Sequence, residues 1–200
     1  MSFRIEEKLF IIPENKFIFF KWLKDSNGKK IYSDRIVSST YFDNDKLIMF
    51  HHSEEGVVPR KKLRLPSYSS KPHVTTDTFL EKKLSSPERR YKISDPTEHV
   101  KKYLKYGIFD KDYGLCFPKV KVTYLRSYYS IKDFRLTYDR NINYCKIYGL
   151  VKSSLQKKDN FFSVEIKTSK LNLNNEILKK FPFPRIRFSK YCRGIMLLKH

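Results

Sequence analysis

"PRKKLRLP", residues 59–66, reads as a strand with two unlike faces. With a period of two, Arg60, Lys62 and Arg64 fall on one side and Leu63 and Leu65 on the other. Pro59 and Pro66 bound the stretch. A lone strand of this kind would place its leucines in a core and its cations in water. Whether that explanation suffices depends on whether other strands repeat the pattern.

They do. In "FRIEEKLFI", 3–11, Arg4, Glu6 and Lys8 oppose Phe3, Ile5, Leu9 and Ile11, with Glu7 as the exception. In 79–84, Glu81 and Lys83 oppose Leu80 and Leu84; in 122–128, Tyr124 and Arg126 lie together. Arg135, Thr137 and Asp139 oppose Phe134, Leu136 and Tyr138, and Glu165 and Lys167 oppose Phe162, Val164 and Ile166. Two architectures accommodate such strands. An open sheet on one core would turn the charged faces to solvent. A closed barrel of about eight strands would turn them inward, with helices covering the apolar outside. A dry lumen lined with cations is prohibitively repulsive, so the second reading requires water and a polyanion.

The composition agrees with a polyanionic partner without choosing one. Forty-two Lys and Arg against 21 Asp and Glu leave a net charge of +21. Nucleic acid, an anionic membrane or phosphorylated small molecules all suit that excess. Two hundred residues fit a single domain spanning 1–200. Cys116, Cys145 and Cys192 form no CxxC pair, which predicts free thiols in a reducing, cytoplasmic setting. No signal peptide or membrane-spanning run is legible.

The helix signals are fewer. "IIPENKFIFFKWLKD" predicts a helix with Pro13 in its first turn and Phe17, Phe20 and Leu23 on its apolar side. "DPTEHVKKYLKYG" predicts another, capped by Asp95, with Pro96 in the first turn, a Val100–Tyr103–Leu104 stripe and a Gly107 stop. Short helices are expected around "NNEILKKF" and "KYCRGIMLLKH". "KSSLQKKDN", 152–160, reads as a solvated loop. His51-His52 reads as a loop without a ligand role, because adjacent residues on a strand would point apart.

Eight fragments, in order, resemble the catalytic domain of the vacuolar transporter chaperone (VTC) polyphosphate polymerases, of the triphosphate tunnel metalloenzyme superfamily. They are "RIEEK" (4–8), "STYFDN" (39–44), "RKKLRL" (60–65), "LEKKLSSPERR" (80–90), "VTYLRSYY" (122–129), "RLTYDRNI" (135–142), "VEIKTS" (164–169) and "RFSKYCRG" (187–194). "STYFDN" and "FSKY" resemble this branch more than the cyclase and thiamine-triphosphatase branch. The latter opens with ExExK, where this chain has Arg4, so the first strand carries one acid fewer.

The resemblance implies an α+β fold built on a closed antiparallel tunnel barrel with a charged interior. It implies ATP or another triphosphate as donor, inorganic polyphosphate as acceptor, and Mn²⁺ or Mg²⁺ as cofactor. By position, Lys8, Lys62, Arg64, Lys83, Arg126, Arg135 and Lys190 match the phosphate-contacting cations. Glu165 matches the metal-binding carboxylate, with Glu6 as a second ligand; Lys8, Arg64, Arg126, Arg135 and Glu165 are the implied catalytic set. Arg89 and Arg90 would extend the basic path. The residue types suit phosphoryl transfer, which depends on positioning and charge compensation more than on covalent help. Ser189-Lys190 at a helix start adds an expected anion-binding terminus. Tyr41, Phe42 and Asp43 are expected in packing and turn roles, and Cys192 in the core. A triphosphatase of the same fold and a non-catalytic polyphosphate- or nucleic-acid-binding module are the competing readings.

Overall fold

The structure is a computed structural model that describes residues 5–69, 79–87, 90–168, 180–184, 186 and 188–198, with residues 5–10, 69 and 168 described by backbone alone. The strands are β1 (Ile5–Ile11), β2 (Lys29–Asp43), β3 (Arg60–Ser69), β4 (Phe79–Ser85), β5 (Arg90–Pro96), β6 (Ile108–Asp110), β7 (Gly114–Ile131), β8 (Phe134–Tyr148), β9 (Val151–Lys158) and β10 (Phe162–Thr168). The described α-helices are α1 (Lys16–Asp25), α2 (Ile48–Glu55), α3 (Val100–Tyr106) and α4 (Lys190–Leu198). The fold is α+β, built on one large antiparallel sheet in the order β1-β10-β8-β7-β2-β3-β4-β5, with β6 on β7 and β9 on β8. Among the described residues no ladder joins β1 to β5, so the hydrogen bonding runs as an open order. The expected closure into a barrel is not part of this ladder.

The chain forms two compact units: 1–36, 124–142 and 159–188 make the first, and 37–123, 143–158 and 189–200 the second. In the first, Phe134, Leu136, Tyr138, Val164 and Ile166 pack with Phe19, Trp22 and Leu23 of α1. These are the apolar sides predicted for β8 and β10. Phe19 stacks on Tyr138 at 5.3 Å, and Trp22 meets Phe181 edge-on at 4.6 Å. Phe17, expected on the buried side of α1, is instead 77% exposed. The helix starts only at Lys16, after a 3-10 turn at Pro13–Asn15, and its inward stripe is Phe19, Trp22, Leu23. That i, i+3, i+4 set is a single face of a helix.

In the second unit, Phe42, Met49, Leu63, Leu65, Leu80, Ile108, Tyr113 and Cys116 form the core, with Val100, Tyr103 and Leu104 of α3 against it. The α3 stripe is as predicted, but the start is not. Asp95 and Pro96 belong to β5, where they pair with Leu80 and Phe79, and His99 takes the N-cap position. Pairing with β4 outweighs a local capping signal. Residues 152–158, expected in a loop, are strand β9, paired with β8 and mostly exposed. His51 and His52 lie in α2 rather than a loop, and His52 Nδ1 is 3.2 Å from the Tyr113 hydroxyl. The helix expected around "NNEILKKF" lies outside the described residues but for its end.

Asp43 explains part of "STYFDN". Its carboxylate accepts the backbone N–H groups of Met49 and Phe50 at the start of α2, and the Tyr191 hydroxyl at 2.6 Å. It therefore fixes α2 and ties α4 to it. Tyr41 stacks on Tyr191 at 5.3 Å. Burial drives the Tyr191 hydroxyl far above its ordinary pKa, and the neighbouring Asp43 carboxylate adds to that, so it stays a donor.

Candidate functional site

The charged strand faces are solvated only in part. Asp139 is 1% exposed, Glu81 3% and Arg64 8%. These residues alternate with core residues on the same strands, so both faces of those strands are covered. That removes the simple solvent-face reading at Arg64, Glu81 and Asp139, and each unit has its own charged cluster.

In the first unit the strand register sets the cluster. Lys8 of β1 lies opposite Glu165 of β10, which lies opposite Thr137 of β8. One row on, Glu6 lies opposite Lys167, and Lys167 opposite Arg135. Arg126 of β7 donates from Nε and Nη2 to the two Asp139 oxygens at 2.6 and 2.8 Å. Its guanidinium also lies 5.1 Å from the Tyr124 ring. Burial pulls the Arg126 pKa down, but Asp139 first, then Tyr124 and Glu165, push it well above the ordinary value. Its charge is locked on. A guanidinium has five N–H donors, and the Asp139 clamp uses two, which leaves donor capacity for a phosphate oxygen. Glu165 Oε1 is 3.1 Å from Lys167 Nζ, and the Glu165 side chain is 13% exposed. Arg135 is exposed, its guanidinium 5.2 Å from the Tyr128 ring.

In the second unit, three lysines form one cross-strand row: Lys62 on β3 opposite Lys83 on β4, and Lys83 opposite Lys92 on β5. Like charges directly opposite one another destabilise a sheet. The flanking rows are Arg60–Ser85–Arg90 and Arg64–Glu81–Ser94. Glu81 is thus the sole carboxylate in these three rows. It receives Arg64 Nε at 2.6 Å and Lys92 Nζ at 2.9 Å. Burial raises the Glu81 pKa, but the Arg64 charge and the hydrogen bonds from Lys92 and Arg64 win, and it sits below its ordinary value. Arg64 also reaches Ser39 at 3.5 Å.

Lys62 Nζ donates to Ser189 Oγ at 2.8 Å, and the same oxygen accepts the Cys192 N–H at 3.3 Å. Ser189 is thus the N-cap of α4, with Lys190 in its first turn. The opposite face of β3 behaves differently. Lys61 is buried and held by Asp110 at 2.7 Å and Asp112 at 2.8 Å, a structural pairing.

Of the residues expected from the sequence, Lys62, Arg64, Lys83 and Lys190 therefore fall in the second unit's cluster and Arg126, Arg135 and Glu165 in the first's. Lys8 and Glu6 are placed in register only, and Arg89 lies outside the described residues. Lys92 was not anticipated. The alternation of Arg90, Lys92 and Ser94 against Tyr91 and Ile93 carried the signal, but the segment is short and exposed and ran into the supposed cap at Asp95. Ser39 opens the "STYFDN" fragment, but nothing local marks it as a serine that supports a distant arginine.

No cluster of three or more His, Cys, Asp or Glu able to hold a metal occurs among the described residues. Mg²⁺ and Mn²⁺ commonly use one or two protein carboxylates together with substrate phosphates and water. Glu165 fits that donor set; Asp139 is committed to Arg126.

A large antiparallel sheet with cation-rich strand faces defines the class as α+β. The chain belongs to the VTC domain family, whose model matches residues 3–199. Among solved structures it is similar to HpAC1 from Hippeastrum, assigned as an adenylyl cyclase with a dominant triphosphatase activity. That likeness has a TM-score of 0.55 at 15% identity and covers 99% of this chain and 100% of that one. It is also similar to a protein of Vibrio parahaemolyticus assigned as an adenylate cyclase, with a TM-score of 0.46 at 13% identity over 99% of this chain and 87% of that one. No curated protein sequence matches significantly. No described helix is long and apolar enough to cross a membrane.

Proposed function

We propose that this chain is a cytoplasmic, divalent-metal-dependent phosphotransferase that moves the γ-phosphoryl group of ATP onto inorganic polyphosphate. The observation that carries this reading is the Lys62–Lys83–Lys92 row beside the buried Arg64. Three lysines side by side repel one another, and a polyanion laid along the row would offset that repulsion. The family's closed tunnel around the substrate belongs to the same reading.

Lys8, Lys62, Lys83, Lys92 and Lys190 supply point charges to phosphate oxygens, and Arg64, Arg126 and Arg135 supply forked donors. The bond from the γ-phosphorus to the β–γ bridging oxygen breaks. A new bond forms to a terminal oxygen of the acceptor, and ADP leaves. The acceptor is its own nucleophile, so the protein's work is alignment and charge compensation. Glu165, with Glu6, would hold Mn²⁺ or Mg²⁺, which when bound neutralises charge on the phosphates.

Hydrolysis is the second reading, since the HpAC1 fold carries a triphosphatase. One assay separates the two. Purified protein with ATP and Mn²⁺ is followed for polyphosphate, ADP and free phosphate, with Glu165→Ala as control. Chains and ADP, both lost in the variant, support transfer. Free phosphate without chains moves the reading to a triphosphatase. No turnover with any triphosphate, alongside salt-sensitive binding, leaves a non-catalytic polyanion module.

A further inference from the structure

The first half of β2 carries a cluster that phosphate binding does not explain. Tyr32 is 51% exposed, and its ring meets Tyr128 edge-on, 5.6 Å between centroids. The Arg35 guanidinium lies 5.8 Å from the Tyr32 ring and 5.9 Å from the Tyr128 ring. Arg135 lies 5.2 Å from Tyr128 on its own account. Tyr128 is 5% exposed and is the fixed member; Tyr32 is the open one. Among the described residues neither guanidinium meets a carboxylate.

This part of β2 is firmly anchored. Arg140 donates to Asp34 at 2.6 Å and to Ser127 at 2.7 Å, and Lys30 pairs with Asp34 at 2.7 Å. The position of Tyr32 is therefore set before any ligand arrives.

We propose that Tyr32 and Arg35 form a stacking platform for the nucleobase of a nucleotide substrate. Every base has a π-face that stacks on an aromatic ring or a guanidinium plane, and such platforms tolerate different bases. The order within the unit suits a nucleotide. Arg135 takes the phosphate end, and the half-open tyrosine lies one ring further out, where a ribose would deliver the base. Inorganic triphosphate has no π-face and would use the arginines alone. A purely structural cation–π ladder would stabilise the strand end but would not discriminate between these ligands.

The inference rests on the triphosphate reading of the site and makes a separable claim about it. The test is calorimetric binding of the β,γ-imido analogue of ATP and of inorganic tripolyphosphate, each with Mg²⁺, to wild type, Tyr32→Ala and Tyr32→Phe. Tyr32→Ala is expected to weaken the nucleotide about fivefold or more while leaving tripolyphosphate within about twofold. Tyr32→Phe keeps the ring and should bind both as wild type does. Equal weakening of both ligands, or no change in either, overturns the platform while leaving the triphosphate site standing. If wild type binds neither ligand, the triphosphate reading fails and takes the platform with it.

Discussion

Asp139 offers the sharpest test of whether the charged strand faces are buried as described. It is 1% exposed and accepts hydrogen bonds from Arg126 at both of its oxygens; the Arg126 side chain is 17% exposed. Asp139→Asn keeps the shape and removes the charge. Arg126 cannot shed its own charge in response, because a guanidinium does not deprotonate in proteins. A largely buried cation is then left facing an amide. Removing one partner of a buried pair costs about 3–5 kcal/mol, and the residual exposure of Arg126 and the nearby Glu165 place the expectation near about 3 kcal/mol. In a chain of this length each kcal/mol lowers the melting temperature by about 2–4 °C, so the variant should melt about 6–12 °C below wild type. Thermal melts followed by circular dichroism read this directly. A double variant, Arg126→Met with Asp139→Leu, should recover most of the loss, because an apolar pair of similar volume replaces a buried ion pair at little cost. The two variants also part on ligand. On the proposed function, tripolyphosphate binds the folded state alone and should raise its melting temperature. That rise should persist in Asp139→Asn, where Arg126 remains, and shrink in the double variant. If Asp139→Asn melts within about 2 °C of wild type, the pair is not desolvated and the argument against a solvent face collapses.

Lys92→Ala should weaken tripolyphosphate binding and flatten its dependence on salt, since one cation of the row is lost; an unchanged salt slope would remove Lys92 from the site. Asp34 is pushed up by burial but pulled further down by hydrogen bonds from Lys30, Arg140 and Ser127, to about 2 from an ordinary 3.8. A depressed carboxylate stabilises the fold above its ordinary value and loses that contribution as pH falls, so acid unfolding between pH 3.8 and about 2 should be shallower in Asp34→Asn than in wild type. Gly194→Ala should destabilise the second unit, because an added Cβ would lie 2.8 Å from the Tyr144 ring and 3.0 Å from Val120, both fully buried. Overpacking of this kind costs about 1–3 kcal/mol, and urea unfolding of the variant reads it.

Period-two alternation was enough to find the strands that carry the charge, because side-chain direction in a strand follows from backbone geometry alone. Leu136, Tyr138, Val164 and Ile166 went inward as their spacing dictates. What alternation cannot say is where the other face goes. Burial of Asp139 and Glu81 depends on elements far away in the chain, and no local pattern reports it. The same limit explains the errors. Asp95-Pro96 carries a sound capping signal, yet Leu80 and Phe79 recruit both residues into a strand pair. The spacing puts Phe17, Phe20 and Leu23 on the buried side of α1 and passes over Phe19, because the start of the helix is not fixed by local pattern. The surroundings of Tyr138 then select Phe19.

Register adds what composition could not. A net charge of +21 would suit almost any polyanion. The sheet narrows that by aligning Lys62, Lys83 and Lys92 in one row and giving this row and the two flanking it the single carboxylate Glu81. Glu81 is itself shared between Arg64 and Lys92. It orients two cations, and the three rows set six cations beside that one carboxylate at fixed spacing. A solvated surface has no need to hold that excess against repulsion in the register of paired strands, whereas a chain of phosphates, with charge at every repeat, offsets it along its length.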